Sequence, residues 1–179
     1  GLLPAPPKAH NGNVLINKGV PHNFAEALRG LRTNVLFSFA DEGSRSIVVT
    51  STGPGEGKTT VASNMAMAMA MAGQRVLLID ADMRRPRAHE IFGIKQEPGL
   101  SNLLIGPAKA ADVMQKGPVN GLFVLPAGKI PPNPAELLGS KRFAEFLTTL
   151  GQHFDLVVVD TPPVVAVTDA AIVAHRAVG

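Results

Sequence analysis

Between an apolar segment, Ser46–Ser51, and an Ala/Met-rich segment, Lys58–Ala72, lies the run Gly53-Pro54-Gly55-Glu56-Gly57-Lys58-Thr59-Thr60. If this run joins a strand to a helix, its backbone N–H groups and the helix N-terminus converge on one point, as phosphate binding requires. Gly55 and Gly57 would then leave room for phosphate against the backbone. Lys58 would reach β- and γ-phosphates, and Thr59 would offer its hydroxyl to Mg²⁺. The strict pattern G-x-x-x-x-G-K-[ST] is broken at its first position, Thr52, and a dinucleotide pattern counted from Gly53 is broken at Lys58. A plain glycine-rich turn with a surface lysine is the competing reading. The strand, loop and helix order favours phosphate.

Three aspartates narrow the chemistry. Asp80 and Asp82 close the apolar run Arg75–Asp80, and Asp160 closes Asp155–Asp160. In a parallel sheet all three carboxylates reach the C-terminal edge, beside the phosphate loop. Mg²⁺ takes oxygen ligands and keeps several waters, so one hydroxyl with one or two carboxylates suffices. Each aspartate alone could equally be a strand-end turn residue; three together favour a site. His10, His22, His89, His153 and His175 show no metal-ligand spacing.

The elements that must position these groups follow from periodicity. Ser46–Ser51, Arg75–Asp80, Gly121–Leu125 and Asp155–Asp160 are short, continuously apolar runs, the pattern of strands covered on both faces. Phe24, Leu28, Leu31, Val35 and Phe39 recur at helical steps and predict an amphipathic helix from Asn23 to about Ala40. Lys58–Ala72 reads as helix despite the period-two Met65, Met67, Met69, Met71, because Ala and Met are strong helix formers without β-branching. Those methionines are expected in the core. Further helical patterns lie near Leu100–Leu104 and Ser140–Gln152, and consecutive prolines make Ile130–Asn133 a rigid loop. Alternating strands and helices predict an α/β fold, a mainly parallel sheet sandwiched by helices. Residues 1–20, rich in Pro, Gly and Asn, read as a linker arm, and 21–179 as one domain.

Composition excludes much else. With 45% apolar and 17% charged residues the 179-residue chain is globular rather than disordered. Absence of cysteine removes disulfides, thiolate metal sites and a nucleophilic thiol. No apolar run approaches the roughly 20 residues that span a bilayer, so the chain itself is expected to be soluble. The net charge is +3, yet Lys and Arg are scattered and Tyr and Trp are absent, leaving few platforms for stacking bases. Nucleic acid is not an expected partner.

Thr50–Thr60 (TSTGPGEGKTT), Leu77–Arg87 (LLIDADMRRPR), Pro131–Leu138 (PPNPAELL) and Val157–Pro163 (VVVDTPP) resemble the bacterial tyrosine kinases. Glu26, Arg29 and Arg32 match that family's E-x-x-R-x-x-R helix motif, and the resemblance runs from about Asn23 to the C-terminus. It implies a P-loop NTPase-like kinase domain. Its Walker A, A′ and B segments would use ATP with Mg²⁺ to phosphorylate a C-terminal tyrosine cluster on a neighbouring subunit, controlling capsule or exopolysaccharide polymerisation and export. Gly53, Gly55, Glu56, Gly57, Lys58, Thr59 and Thr60 would hold the nucleotide, and Thr59, Asp82 and Asp160 the metal. Lys58, Asp80 and Asp82 would be catalytic, with Asp80 as acceptor of the phenolic proton, a role that its neighbours could also fill.

The resemblance further implies a ring-like self-assembly through Glu26, Arg29 and Arg32, although spacing alone reads them as a surface salt-bridge row. Arg84, Arg85 and Arg87 would meet phosphate or an acidic tail, or would be a solvated basic turn. A membrane activator, separate or fused upstream, is an expected partner, placing the domain at the cytoplasmic side of the bacterial inner membrane. Residues 1–8 look like the segment after the last membrane helix of fused versions. The family pattern continues past Gly179 and includes tyrosines, which this chain lacks, so a domain shortened at its C-terminus is expected. The rival readings are a Par/Min-type ATPase switch and a non-catalytic nucleotide-binding regulator. The Par/Min switches carry a signature lysine five residues before the phosphate-loop lysine, where this chain has Gly53.

Overall fold

The computed structural model of the protein describes residues 22–38 and 45–163. Its elements in chain order are α1 (His22–Ser38), β1 (Arg45–Val49), α2 (Lys58–Met71), β2 (Val76–Asp80), α3 (Ala88–Phe92) and α4 (Leu100–Ile105). They continue with α5 (Ala110–Val113), β3 (Gln115–Lys116), β4 (Leu122–Leu125), α6 (Pro134–Leu138), α7 (Lys141–Leu150) and β5 (Leu156–Asp160). The sheet order is β1-β5-β2-β4-β3. All pairings are parallel except β3 with β4, an antiparallel edge. The expected parallel α/β sheet is therefore present, with every predicted strand and helix in place. The linker reading of 1–20 and Phe39 of the predicted stripe lie outside the described residues.

Period-two alternation explains why the strands read as solid apolar runs. Leu77 and Ile79 of β2, with Val157 and Val159 of β5, face a core closed by α4, α6 and α7, including Leu100, Leu138 and Phe143. Val76 and Leu78, with Leu156 and Val158, face the opposite core, filled by α2 and Ile91 of α3. Both faces are dry, so neither set of side chains can be polar.

Helix α2 is apolar nearly all round, and Ala62–Ala70 is buried throughout, as such a helix requires. The sheet covers one side of it and α1 packs on it too, setting Leu31 and Val35 against its apolar cluster, while Phe24 and Leu28 of α1 are 1% exposed. Met65, Met67 and Met69 are core residues as expected; Met71 is not, at 58% exposure. It occupies the last turn, where the chain leaves through Ala72 and Gly73 toward β2 and the covering layers have ended. The Ile130–Asn133 loop is followed at once by α6, with Pro134 at its start, where a missing N–H costs nothing.

Candidate nucleotide site

Register places the acidic residues. Asp80 of β2 stands opposite Asp160 of β5, which in turn stands opposite Val49 of β1. In-register residues of parallel strands point to the same face, so two carboxylates share one side of the C-terminal edge. The edge is stitched by Ala81 N–H to the Asp160 carbonyl at 2.8 Å and by Thr161 N–H to the Val49 carbonyl at 3.0 Å. The Thr50 hydroxyl donates to the Pro162 carbonyl at 2.9 Å, tying the strand before the phosphate loop to the segment after Asp160.

The loop itself turns through left-handed backbone at Gly55 (φ 80°) and Gly57 (φ 82°), conformations that strain any side chain. Gly57 immediately precedes α2 and has no side chain to cap it, so the first N–H groups of α2 carry no side-chain cap. The Ser51 hydroxyl donates to the Gly53 carbonyl at 2.8 Å. Thr52 donates twice to Glu56, from its N–H at 3.1 Å and from its hydroxyl at 2.8 Å. These bonds to Thr52 and the Gly53 N–H hold the Glu56 carboxyl below its ordinary pKa.

Lys58, at the first position of α2, reaches across to both aspartate loops. Its ammonium lies 2.7 Å from Asp82 Oδ2 and 3.6 Å from Asp160 Oδ1. Burial works to lower its pKa, but Asp160 and Asp82, with Asp80 behind them, outweigh that and raise it. Asp160 is fully buried, and neither of its carboxylate oxygens has a hydrogen-bond partner among the described residues. Burial pushes its pKa up to about 6 against the pull of the Lys58 cation and the neighbouring Thr59 hydroxyl.

Asp80 faces its own loop. Its Oδ1 accepts the Asp82 N–H at 3.2 Å, and its Oδ2 accepts the N–H groups of Arg87 at 3.1 Å and Ala88 at 3.0 Å. Burial and the nearby Asp160 push its pKa up to about 8, despite those backbone donors. The carboxylate therefore folds the 81–88 segment back on itself and sets Asp82 before Lys58, while Asp82 Oδ1 accepts the Arg85 N–H at 3.0 Å. No residue pattern announces this role, because the donors are main-chain groups. Arg84, Arg85 and Arg87 are exposed, and the Arg87 guanidinium lies 3.3 Å from Glu90. Glu26 and Arg29 form an exposed ion pair on α1, and Arg32 is half-buried.

The groups brought together are thus Lys58, Thr59, Asp80, Asp82 and Asp160, with the glycine loop before them. Among the described residues no three His, Asp or Glu side chains converge as a self-sufficient metal cage. Mg²⁺ does not need one, since it is held through one or two carboxylates together with phosphate and water. The two orphaned Asp160 oxygens, the Thr59 hydroxyl and Asp82 are a donor set that fits it.

A family described as an AAA domain matches residues 44–177. The putative tyrosine-protein kinase EpsB of Ralstonia solanacearum is 45% identical over 167 residues, which is 93% of this chain and 22% of EpsB. The chain thus spans less than a quarter of that relative. Among solved structures, the chimerical protein CapA2B2 superposes with a TM-score of 0.85 at 38% identity, over 93% of this chain and 76% of that one. The kinase domain of the Escherichia coli tyrosine kinase ETK gives 0.83 at 38% identity, over 89% and 66%. A phosphate loop, two aspartate loops on one sheet edge and these likenesses make the chain a member of the bacterial tyrosine kinase family, with the fold of its P-loop kinase domain.

Proposed function

We infer that this domain binds ATP with Mg²⁺ on the Gly53–Thr60 loop and transfers the γ-phosphoryl group to a tyrosine. The observation that carries the reading is Lys58 held between Asp82 and Asp160 at the mouth of a loop whose helix N-terminus has no side-chain cap. Lys58 would turn from Asp82 to the phosphates of a bound nucleotide. Thr59, Asp82 and Asp160 would hold Mg²⁺, which would supply charge neutralisation of the β- and γ-phosphates.

In the transfer itself the phenolic oxygen bonds to the γ-phosphorus, the bond to the ADP oxygen breaks, and the phenolic proton passes to a carboxylate. Asp80 is our assignment for that acceptor on position, since it stands opposite Asp160 on the sheet edge that carries the site and its Oδ1 takes a single N–H contact. The chain holds no tyrosine, so the acceptor belongs to another polypeptide segment. Self-assembly through Glu26, Arg29 and Arg32 would bring such a segment to the site, and a membrane activator working in polysaccharide export is the further partner we propose, as the resemblance of the motifs implies. Among the described residues no helix is long and apolar enough to cross a membrane.

Incubation with ATP, Mg²⁺ and a tyrosine-rich peptide, followed by mass spectrometry, tests this. Phosphotyrosine is expected, and Asp82→Asn should abolish it. Phosphate release without phosphotyrosine would replace the kinase with a Par/Min-type switch. Nucleotide binding with neither product would leave a regulator.

A further inference from the structure

A carboxylate in the middle of a phosphate loop needs explaining, because Glu56 sits between the two left-handed glycines and would repel a triphosphate if it faced one. It does not hang free. Both of its oxygens are engaged by Thr52, four residues earlier, one by the N–H and one by the hydroxyl. The first residue between them, Gly53, has its carbonyl fixed by the Ser51 hydroxyl. The N-terminal limb of the loop is therefore braced twice, and the negative charge is turned back along the chain.

Gly53 adds an independent observation. A Cβ placed there would lie 3.2 Å from Glu56 Oε1, closer than ordinary van der Waals contact. A side chain at position 53 and the Glu56 bridge to Thr52 compete for the same space.

We propose that Glu56 is a positioning residue for nucleotide: its bridge to Thr52 preforms the phosphate loop, and Gly53 is small in order to leave that bridge room. The proposal rests on the nucleotide reading above and deepens it. Binding to a preformed loop does not pay the ordering entropy that a slack loop would, which is the source of the affinity. The bridge needs shape more than charge. In Glu56→Gln the amide oxygen can accept the Thr52 N–H while the amide NH₂ donates to the Thr52 hydroxyl oxygen, so both contacts survive without the negative charge. In Glu56→Ala neither survives.

The test pairs a ligand-free readout with a binding one, on the whole 179-residue chain. Amide hydrogen exchange by NMR, without nucleotide, should show the Thr52 N–H protected in wild type and Glu56→Gln and exposed in Glu56→Ala. Calorimetric titration with Mg·ADP should show Glu56→Gln binding at least as tightly as wild type and Glu56→Ala about three- to tenfold more weakly, the size expected from losing solvent-facing hydrogen bonds. Thr52→Ala keeps the N–H contact and loses the hydroxyl one, so it should weaken binding less than Glu56→Ala, and combining the two should add little, since the partner of the hydroxyl is already gone. Folding stability serves as control, because a general structural defect would lower it without this pattern. Equal affinities for Glu56→Ala and Glu56→Gln, or additive losses in the double variant, would overturn the bridge while leaving the nucleotide site standing. Wild-type protein that binds no Mg·ADP or Mg·ATP, with the Thr52 N–H protected all the same, would overturn the nucleotide reading and the role proposed for the bridge together.

Discussion

Replacing Lys58 with methionine is the usual way to silence a phosphate loop, and in this protein it should do more than that. The lysine is the cation that faces Asp82 and Asp160, whose side chains are 6% and 0% exposed. Stranding buried carboxylates costs about 3–5 kcal/mol when they stay ionised. Asp160 has a way out, because its pKa is already about 6 with the lysine in place and rises further without it. A carboxyl whose folded pKa exceeds its unfolded value of 3.8 binds more protons when folded, so stability falls as pH rises through that window. In wild type that fall is complete near pH 6. In Lys58→Met it continues, at about 1.4 kcal/mol per pH unit. The variant's deficit from Asp160 is then smallest at pH 6 and grows toward pH 8, by at most about 1.4 kcal/mol per pH unit. The raised pKa of Lys58 reports the same attraction from the cation's side and is not added again. Urea unfolding of both proteins at the three pH values measures it. A deficit that is absent, or constant across pH, would refute the reasoning. Nucleotide affinity should fall about ten- to a hundredfold besides, through the lost charge-assisted contact.

Other expectations follow from the same structure. In the wild-type protein without nucleotide, the raised pKa values of Asp80 (about 8) and Asp160 (about 6) mean that the melting temperature should climb as pH is lowered from 8 toward 5; a Tm that falls over that range would contradict the buried-acid assignment. Met67→Ala should cost about 2–5 kcal/mol in denaturant unfolding, whereas Met71→Ala, on an exposed residue, should stay within about 0.5 kcal/mol. Replacing Arg29 and Arg32 with alanine should leave the circular dichroism spectrum and Tm unchanged and shrink any assembly seen by sedimentation velocity. Unchanged oligomer sizes would return those side chains to a plain solvated face.

The strands and the glycine loop were readable because both obey local rules: buried strands need continuous apolarity, and a phosphate loop needs glycine before a helix. The lysine and the three aspartates were readable from position alone, at the ends of those runs. What Asp80 does there was not readable, since its partners are the N–H groups of Asp82, Arg87 and Ala88, and main-chain donors leave no mark on residue type. Met71 was misjudged because composition cannot say where a covering layer stops. The β3 edge escaped notice for a similar reason: two residues, Gln115 and Lys116, are too few to show a period, and only their pairing with Val124 and Phe123 makes them a strand. Thr52 and Glu56 did leave a trace, a hydroxyl and a carboxylate four apart across a glycine, which is visible only to a reader asking how the loop holds its shape.

The burial of α2 has one more consequence. Its first residue is Lys58, and α1, which carries Glu26 and Arg29 on its exposed side, packs on it through Leu31 and Val35. Close-packed interiors compress little and pass displacement on. A neighbouring molecule that docked on the exposed side of α1 would thus lie one helix layer away from the element that begins at Lys58.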